Sequence, residues 1–361
     1  MNQIQIPVAR PRLPDAARIQ GFFGEIDKNR VYSNYGPLLR QFQSLIARHF
    51  EVGADNIVVL ANATLGLQLA LQSVRLKSAL CLMPSWTFVA TAHAAISAGM
   101  EPYFVDVDEQ TWAMCPRKTA QAVATLRGQV GAVMVVAPFG TPLDTDAWIG
   151  FQEETGIPVI FDCAAGFDTL KITEIPAVVS MHATKAMGIG EGAFVASTRT
   201  SLIQELAQRA NFGFYGSPIS ELVGTNAKMS EYQAAVGLAA IEMWPQTRAD
   251  YCGVAKEYRK SLTSNKITLQ DDFGETWIAS TCVVRIESES AEEAASRLLE
   301  AGIATRQWWQ RGVHRHPAFQ KFGHAELEAT ESLAKHTLGL PFFPDLTRES
   351  VELVCRILQQ A

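Results

Sequence analysis

The sequence predicts an α/β protein with a mostly parallel sheet flanked by helices, followed by a smaller α+β domain. Three features carry that expectation. Apolar strand-like runs alternate with helical patterns from Asn56 to Ala210, at the spacing of strand–crossover–strand units. The run at 131–137 is almost entirely apolar, as a strand buried on both faces is. Beyond Trp244 the texture changes, which divides the chain into residues 1–244 and 245–361.

The opening segment, with Pro7, Pro11 and Pro14, reads as irregular. Residues 38–50 read as a helix, because Leu39, Phe42, Leu45, Ile46 and His49 recur near the 3.6-residue period. Strands at 56–60, 79–83 and 102–107 then alternate with helices at 64–73 and 90–98. The apolar run at 131–137, a helix at 148–154 and another buried strand at 157–162 continue the pattern. Two more apolar runs, 177–181 and 193–197, flank a glycine-rich turn and bring the sheet to seven strands. A helix at 201–210, a loop at 211–220 and a strongly helical stretch at 230–244 complete the larger domain. The smaller one holds a strand at 278–286, helices at 291–301 and 348–360, and a Trp/His/Arg-rich loop at 306–319.

The 361 residues are 48% hydrophobic and 19% charged, which excludes global disorder. Thirty-one basic against 37 acidic residues leave a net charge of −6, the wrong balance for a nucleic-acid binder. An anionic ligand must therefore be met by local positive groups. The six cysteines stand singly with no CxxC pair, so no metal site is expected. No apolar run reaches about 18 residues and the N-terminus lacks a signal-peptide core, so no membrane association and a cytoplasmic setting are expected.

Four segments carry candidate chemistry. Lys185 follows an apolar strand, with Gly188, Gly190 and Gly192 downstream. Enclosure lowers a lysine's pKa and frees its amine to form a Schiff base, and the glycines would let backbone approach a ligand. A surface lysine in a flexible hairpin is the plainer alternative. Asp162 ends a buried strand at the edge where α/β proteins bind ligands. A carboxylate there suits the pyridine nitrogen of pyridoxal phosphate, or else caps the next helix. Ala63 and Thr64 open a helix after a strand, a seat for a phosphate, although Thr64 as a simple cap explains the same residues. Trp86 follows a strand and a proline, where an indole either stacks on a planar ring or fills the core.

Phosphate turn, aromatic, acid and lysine occur in that order. Together with MPSWTFVATAHAAISAGMEPYFVDVD, VIFDCAA, SMHATKAMGIGEGAF, GTNAKMSEYQAAVGL and LGLPFFPDLTRESVELV, they resemble the DegT–StrS family of nucleotide-sugar aminotransferases, which are fold-type I enzymes. The resemblance covers residues 36–341 and implies the cofactor pyridoxal 5′-phosphate (PLP). It implies that Lys185 carries the cofactor and shuttles protons between Cα and C4′. Asp162 would pair with the ring nitrogen and Trp86 would stack on the ring. Ala63, Thr64 and Ser180 would hold the phosphate, and Asn226 would reach the phosphate of a neighbouring subunit, implying a homodimer with active sites at the interface. The chain departs from the family pattern at Ala63 (usually Gly), Ala137 (often His), Ala165 (Gln or His) and Lys228 (commonly Arg). Retention of Lys185 separates it from relatives that carry histidine there and dehydrate.

The diphosphate and flat groups of a nucleotide sugar suit Arg306, Trp308, Trp309, Arg311, His314, Arg315 and His316, unless this is a solvated basic loop anchored by its tryptophans. Tyr35 and Lys228 are further candidates for substrate binding. His314 and His316 have no evident third ligand, so a metal is not expected. The expected reaction moves an amino group from L-glutamate to a nucleotide-linked keto-6-deoxyhexose, with dTDP-4-keto-6-deoxyglucose favoured and a 3-keto isomer as rival. Products of this kind feed O-antigen, other lipopolysaccharide sugars or glycosylated metabolites. A PLP-dependent lyase or dehydratase, or a non-catalytic PLP-binding regulator, is the alternative from another class.

Overall fold

The computed structural model describes residues 4–360. The first three residues of the opening segment, and Ala361 at the end of the expected smaller domain, lie outside the described residues. Two helices, α1 (Ala16–Asn29) and α2 (Pro37–His49), precede the first strand, β1 (Ile57–Leu60). Alternation follows: α3 (Ala63–Val74), β2 (Leu80–Pro84), α4 (Val89–Ser97), β3 (Glu101–Val105) and α5 (Pro116–Thr125). It continues through β4 (Val130–Val136), α6 (Thr145–Thr155), β5 (Val159–Asp162), β6 (Ala177–Ser180) and β7 (Ala193–Ala196). Next come α7 (Thr200–Ala210), α8 (Glu231–Ser261), β8 (Ile267–Leu269), β9 (Cys282–Ile286) and α9 (Ala291–Glu300). The chain ends with α10 (Glu328–His336), β10 (Thr337–Leu340) and α11 (Arg348–Leu358).

The seven-stranded sheet has the order β1-β7-β6-β5-β4-β2-β3. Only β7 runs against the others, pairing antiparallel with β1 and β6. Side-chain alternation explains how one apolar sheet is covered twice. Val59, Val133, Val135, Phe161 and Val179 pack toward residues of α2, α6 and α8, while Val58, Ala132, Met134, Ile160 and Val178 pack toward α3, α4 and α7. A second sheet, β10-β9-β8, is antiparallel and shares the first of these two cores.

The seven strands lie where the sequence places them, and the strand expected at 278–286 is confined to Cys282–Ile286. The helix expected at 230–244 does not stop there. It continues as α8 through Pro245 to Ser261, because Tyr251, Val254, Ala255 and Tyr258 keep the helical period and bury their side chains. That packing outweighs the hydrogen bond a mid-helix proline removes. Helices α1, α5 and α10 and strands β8 and β10 were not expected. Among the described residues, no helix is long and apolar enough to cross a membrane.

One buried charge ties the start of the chain to α8. The N-cap of α2 is Gly36, which has no side chain to receive the first free amides. Glu231, 1% exposed, supplies the missing acceptor: its carboxylate takes the amides of Leu38 and Leu39, both at 2.9 Å. Replacing Glu231 with alanine leaves two buried donors unpaired and is expected to cost about 1–3 kcal/mol. Denaturant unfolding checks this, and a variant with the wild-type midpoint would show that water or a neighbour replaces the cap.

Candidate active site

Because every strand of the large sheet except β7 points the same way, the strand ends and the turns after them gather at one edge. Asp162 is the last residue of β5 and is 5% exposed. Its Oδ2 accepts the hydroxyl of Thr91 at 2.8 Å, and its Oδ1 accepts the amide of Ala164 at 3.2 Å. Thr91 in turn lies 2.8 Å from the hydroxyl of Thr87, one helical turn earlier. Burial raises the Asp162 pKa; the two hydrogen bonds and the charge of Lys185 oppose that rise.

Lys185 sits in the turn after β6 and is half-buried. Burial lowers its pKa below the usual lysine range, and the nearby Asp162 charge works against it. The lysine is thus enclosed beside the acid rather than free on a hairpin. Two of the three glycines have a different use from the one expected, while Gly190, at φ +102°, has open space where a Cβ would sit. A Cβ on Gly188 would meet the Ala183 carbonyl at 2.7 Å, and one on Gly192 would meet Met229 at 2.7 Å. Their open sides are filled by protein, so they serve the close packing of the turn.

The phosphate seat is built from both sides of β7. Ala193 of β7 is the registered partner of both Leu60 and Ser180, so the ends of β1 and β6 lie level, two strand spacings or about 10 Å apart. Ala63 and Thr64 open α3 just beyond Leu60. The cap of α3 is not Thr64 but Asn62, whose Oδ1 accepts the Leu65 amide at 3.0 Å. The Ala63 and Thr64 amides therefore point out of the helix with no intrahelical acceptor. Ser180 is buried, and its Oγ accepts the His182 amide at 3.2 Å. The segment carrying Asn226 and Lys228 runs alongside: the Ala61 amide donates to the Ala227 carbonyl at 2.8 Å, and Lys228 bridges to Leu60. Asn226 is exposed, and Lys228 is half-buried with its ammonium 4.9 Å from the Phe212 ring centre.

Trp86 is buried, and its indole Nε1 has no hydrogen-bond partner. It meets Phe139 and Trp309 at steep angles, 76° and 80°, so neither ring lies parallel to the indole. Phe139 and Trp309 stack on each other, 3.9 Å between centres at 15°. Trp309 thus joins Trp86, although it comes from the loop far along the chain.

Of the other expected substrate residues, His314 reaches this set through Ser85, whereas Tyr35 and Arg306 make their contacts elsewhere. Tyr35 gives its hydroxyl to the Ala207 carbonyl at 3.0 Å, and burial pushes its pKa up to about 12. Arg306 is exposed with its guanidinium 4.7 Å from the Trp308 ring centre, and His316 is exposed. His314 is buried with its Nδ1 2.7 Å from the Ser85 hydroxyl. Sequence reasoning missed Thr87, Thr91 and Phe139. The two threonines, four apart in an apolar helical stretch, were a readable signal for a polar stripe; nothing marked Phe139.

These observations fit PLP. A ring nitrogen has an acceptor in Asp162, a phosphate has unpaired amides at α3, an aldehyde carbon has the Lys185 amine, and Trp86 has no stacked ring of its own. A family model for the DegT/DnrJ/EryC1/StrS aminotransferases matches residues 15–359. The chain belongs to that family. The aminotransferase is similar to a putative PLP-dependent aminotransferase from Bacillus cereus, with 30% identity, a TM-score of 0.92 and 98% and 100% of the two chains covered. It is also similar to DesI, whose structure was determined in the presence of its TDP-sugar product, with 28% identity, a TM-score of 0.87 and 99% and 93% coverage. A dTDP-4-amino-4,6-dideoxy-D-glucose transaminase of Shigella dysenteriae is 25% identical, with 98% of each chain covered. The enzyme is a PLP-dependent sugar aminotransferase of fold type I.

Thr91 is placed to support a cofactor ring through its hydrogen bond to Asp162. Changing Thr91 to valine removes a charge-assisted hydrogen bond from Asp162, and PLP affinity is expected to fall roughly 10- to 100-fold. Absorbance titration of the apoenzyme with PLP measures it; unchanged affinity would show that Asp162 needs no help from α4.

Proposed function

We propose that the enzyme moves the amino group of L-glutamate to a nucleotide-linked 4-keto-6-deoxyhexose, with dTDP-4-keto-6-deoxyglucose as acceptor. The buried Asp162–Lys185 pair at the strand ends carries this reading, and the names of the Shigella transaminase and of DesI support the choice of sugar. Bound at this edge, PLP supplies an electron sink for the charge that develops when the Cα proton of glutamate leaves. The Lys185 amine, whose pKa burial lowers, takes that proton and returns it at C4′. In the second half-reaction it moves a proton the other way, to the sugar carbon that gains nitrogen. Asp162 would hold the proton on the ring nitrogen, and Trp86 would lie against the ring. The Ala63 and Thr64 amides and the Ser180 hydroxyl would hold the phosphate.

The working unit in this reading is a homodimer. Phe212, Tyr215, Ile219 and Val223 are exposed on the segment leading to Asn226, an apolar surface that a second copy would cover while Asn226 reaches its phosphate. The division into residues 1–244 and 245–361 belongs to the same proposal: the second unit is organised on β8, β9 and β10, with α8 as the shared spine.

Adding L-glutamate to the PLP-loaded enzyme should remove the long-wavelength absorbance of lysine-bound cofactor and raise the shorter-wavelength band of its amine form. The keto sugar should then restore the first spectrum. Lys185→Ala should lower turnover by roughly 10²- to 10⁴-fold or more. A clear starting band that glutamate leaves untouched would mean another donor or another reaction class.

A further inference from the structure

The loop expected to bind substrate directly packs Phe319 on Phe104 of β3, and nearer Trp309 it is hydrogen-bonded to the large sheet's edge at Ser85. Ser85 follows β2 and is fully buried, next to Trp86. Its carbonyl accepts the Val313 amide at 2.9 Å. Its hydroxyl oxygen accepts the His314 amide at 3.3 Å and lies 2.7 Å from His314 Nδ1. Gly312 makes the approach possible: its φ is +73°, and a Cβ there would lie 2.9 Å from both Ser85 Oγ and Thr330 Cγ2. The Gly312 amide closes the turn by donating to the Trp309 carbonyl at 3.0 Å. A second tie lies close by, where Asp106, just after β3, accepts the amides of Ala329 and Thr330 at 2.9 Å each.

From this geometry we infer that Ser85 and His314 are positioning residues for the sugar acceptor: they latch the 306–319 loop to the strand end that carries Trp86, and so hold Trp309 flat on Phe139 beside it. His314 is therefore not a direct substrate ligand, since its Nδ1 is engaged with Ser85. In the neutral ring with hydrogen on Nε2, the Ser85 hydroxyl donates to Nδ1 while receiving the His314 amide. The surroundings favour that neutral form. Burial, then Arg315, then His324 lower the His314 pKa, against Glu331, whose carboxylate lies 3.8 Å from Nε2 and is itself paired with Arg315.

The consequence is a wall made by three distant stretches of chain. Trp86 comes from the end of β2, Phe139 from the turn after β4, and Trp309 from the latched loop. Glutamate is small and reacts at the ring, whereas a sugar nucleotide extends past it. The inference rests on the acceptor proposed above, so its test includes a measurement that does not depend on that acceptor.

Ser85→Ala, His314→Leu and His314→Asn provide the test, because an asparagine side chain places an acceptor near the position of Nδ1. In the apoenzyme, the tryptophan bands of the near-ultraviolet circular dichroism should change in Ser85→Ala and His314→Leu but match wild type in His314→Asn, with far-ultraviolet spectra unchanged in all three. In PLP-loaded Ser85→Ala, the rate of the glutamate half-reaction should match wild type. The dTDP-4-keto-6-deoxyglucose concentration that half-saturates the return reaction should rise roughly tenfold or more in Ser85→Ala and His314→Leu, and stay near the wild-type value in His314→Asn. Wild-type tryptophan bands in both Ser85→Ala and His314→Leu would overturn the latch. So would an equal loss in both half-reactions, or asparagine behaving as leucine does. If wild type takes no amine from glutamate or gives none to this sugar, the proposed function fails, and the dichroism of the apoenzyme still decides the latch.

Discussion

Placing a carboxylic acid and an amine side by side at the edge of an apolar sheet is the constraint on which the site depends. Burial pushes both groups toward their neutral forms: Asp162 upward and Lys185 downward. Their mutual attraction opposes this, as does the hydrogen bonding around Asp162, but burial is the leading cause for each. The Lys185 shift suits PLP chemistry, whereas the Asp162 shift must be reversed when the cofactor binds. A cationic ring nitrogen set against Asp162 would favour its ionised form, and a lysine that readily sheds its proton is ready to act as a base. A surface pair would give neither property, because solvent would screen it.

The reversal of one strand brings the phosphate contacts into register with that pair. A fully parallel sheet would need a crossover between β6 and its neighbour. Here β7 returns directly through the lysine turn and pairs on its far side with β1, the first strand of the sheet. The start of α3, Ser180 and Lys185 are thereby placed on one edge by strand register alone. Asp162 then enters from β5, adjacent to β6. Four residues separated by up to 122 positions in sequence occupy neighbouring strand ends.

The strands were legible because burial on both faces writes itself as uninterrupted Val, Ile, Ala and Phe, and their order along the chain made the parallel sheet readable. What the sequence concealed is where helix content lacks a strong apolar period or is masked. Helix α1 carries Gly21 and Gly24, both poor helix formers, and buries only Ile26. Pro245 hid the second half of α8. Strand β8 has three residues, and β10 contains a glycine, so neither shows an alternating pattern. In the site, the lysine, acid, aromatic and phosphate turn were readable because each stands at a strand or helix boundary. The partners that hold them were not. Thr91 bonds to Asp162 across 71 residues, and Ser85 to His314 across 229, and local spacing carries no trace of such pairs.

The same distinction bears on how an acidic protein would accept an anionic sugar nucleotide. The sequence points to cations, yet Arg306 and His316 remain on the outside and Arg315 is committed to Glu331. What the loop delivers to the strand ends is an indole. The phosphate that the α3 amides would meet is the cofactor's, and backbone dipoles there need no counterion and add no net charge. In the proposed reading, discrimination on the sugar side would fall to Trp86, Phe139 and Trp309, flat surfaces that match shape and exclude water rather than neutralise charge. Such a wall tolerates a net charge of −6 because its attraction does not depend on the long-range field. It does depend on ring orientation, which makes the hydrogen bonds behind it as consequential for the proposed acceptor as the rings themselves.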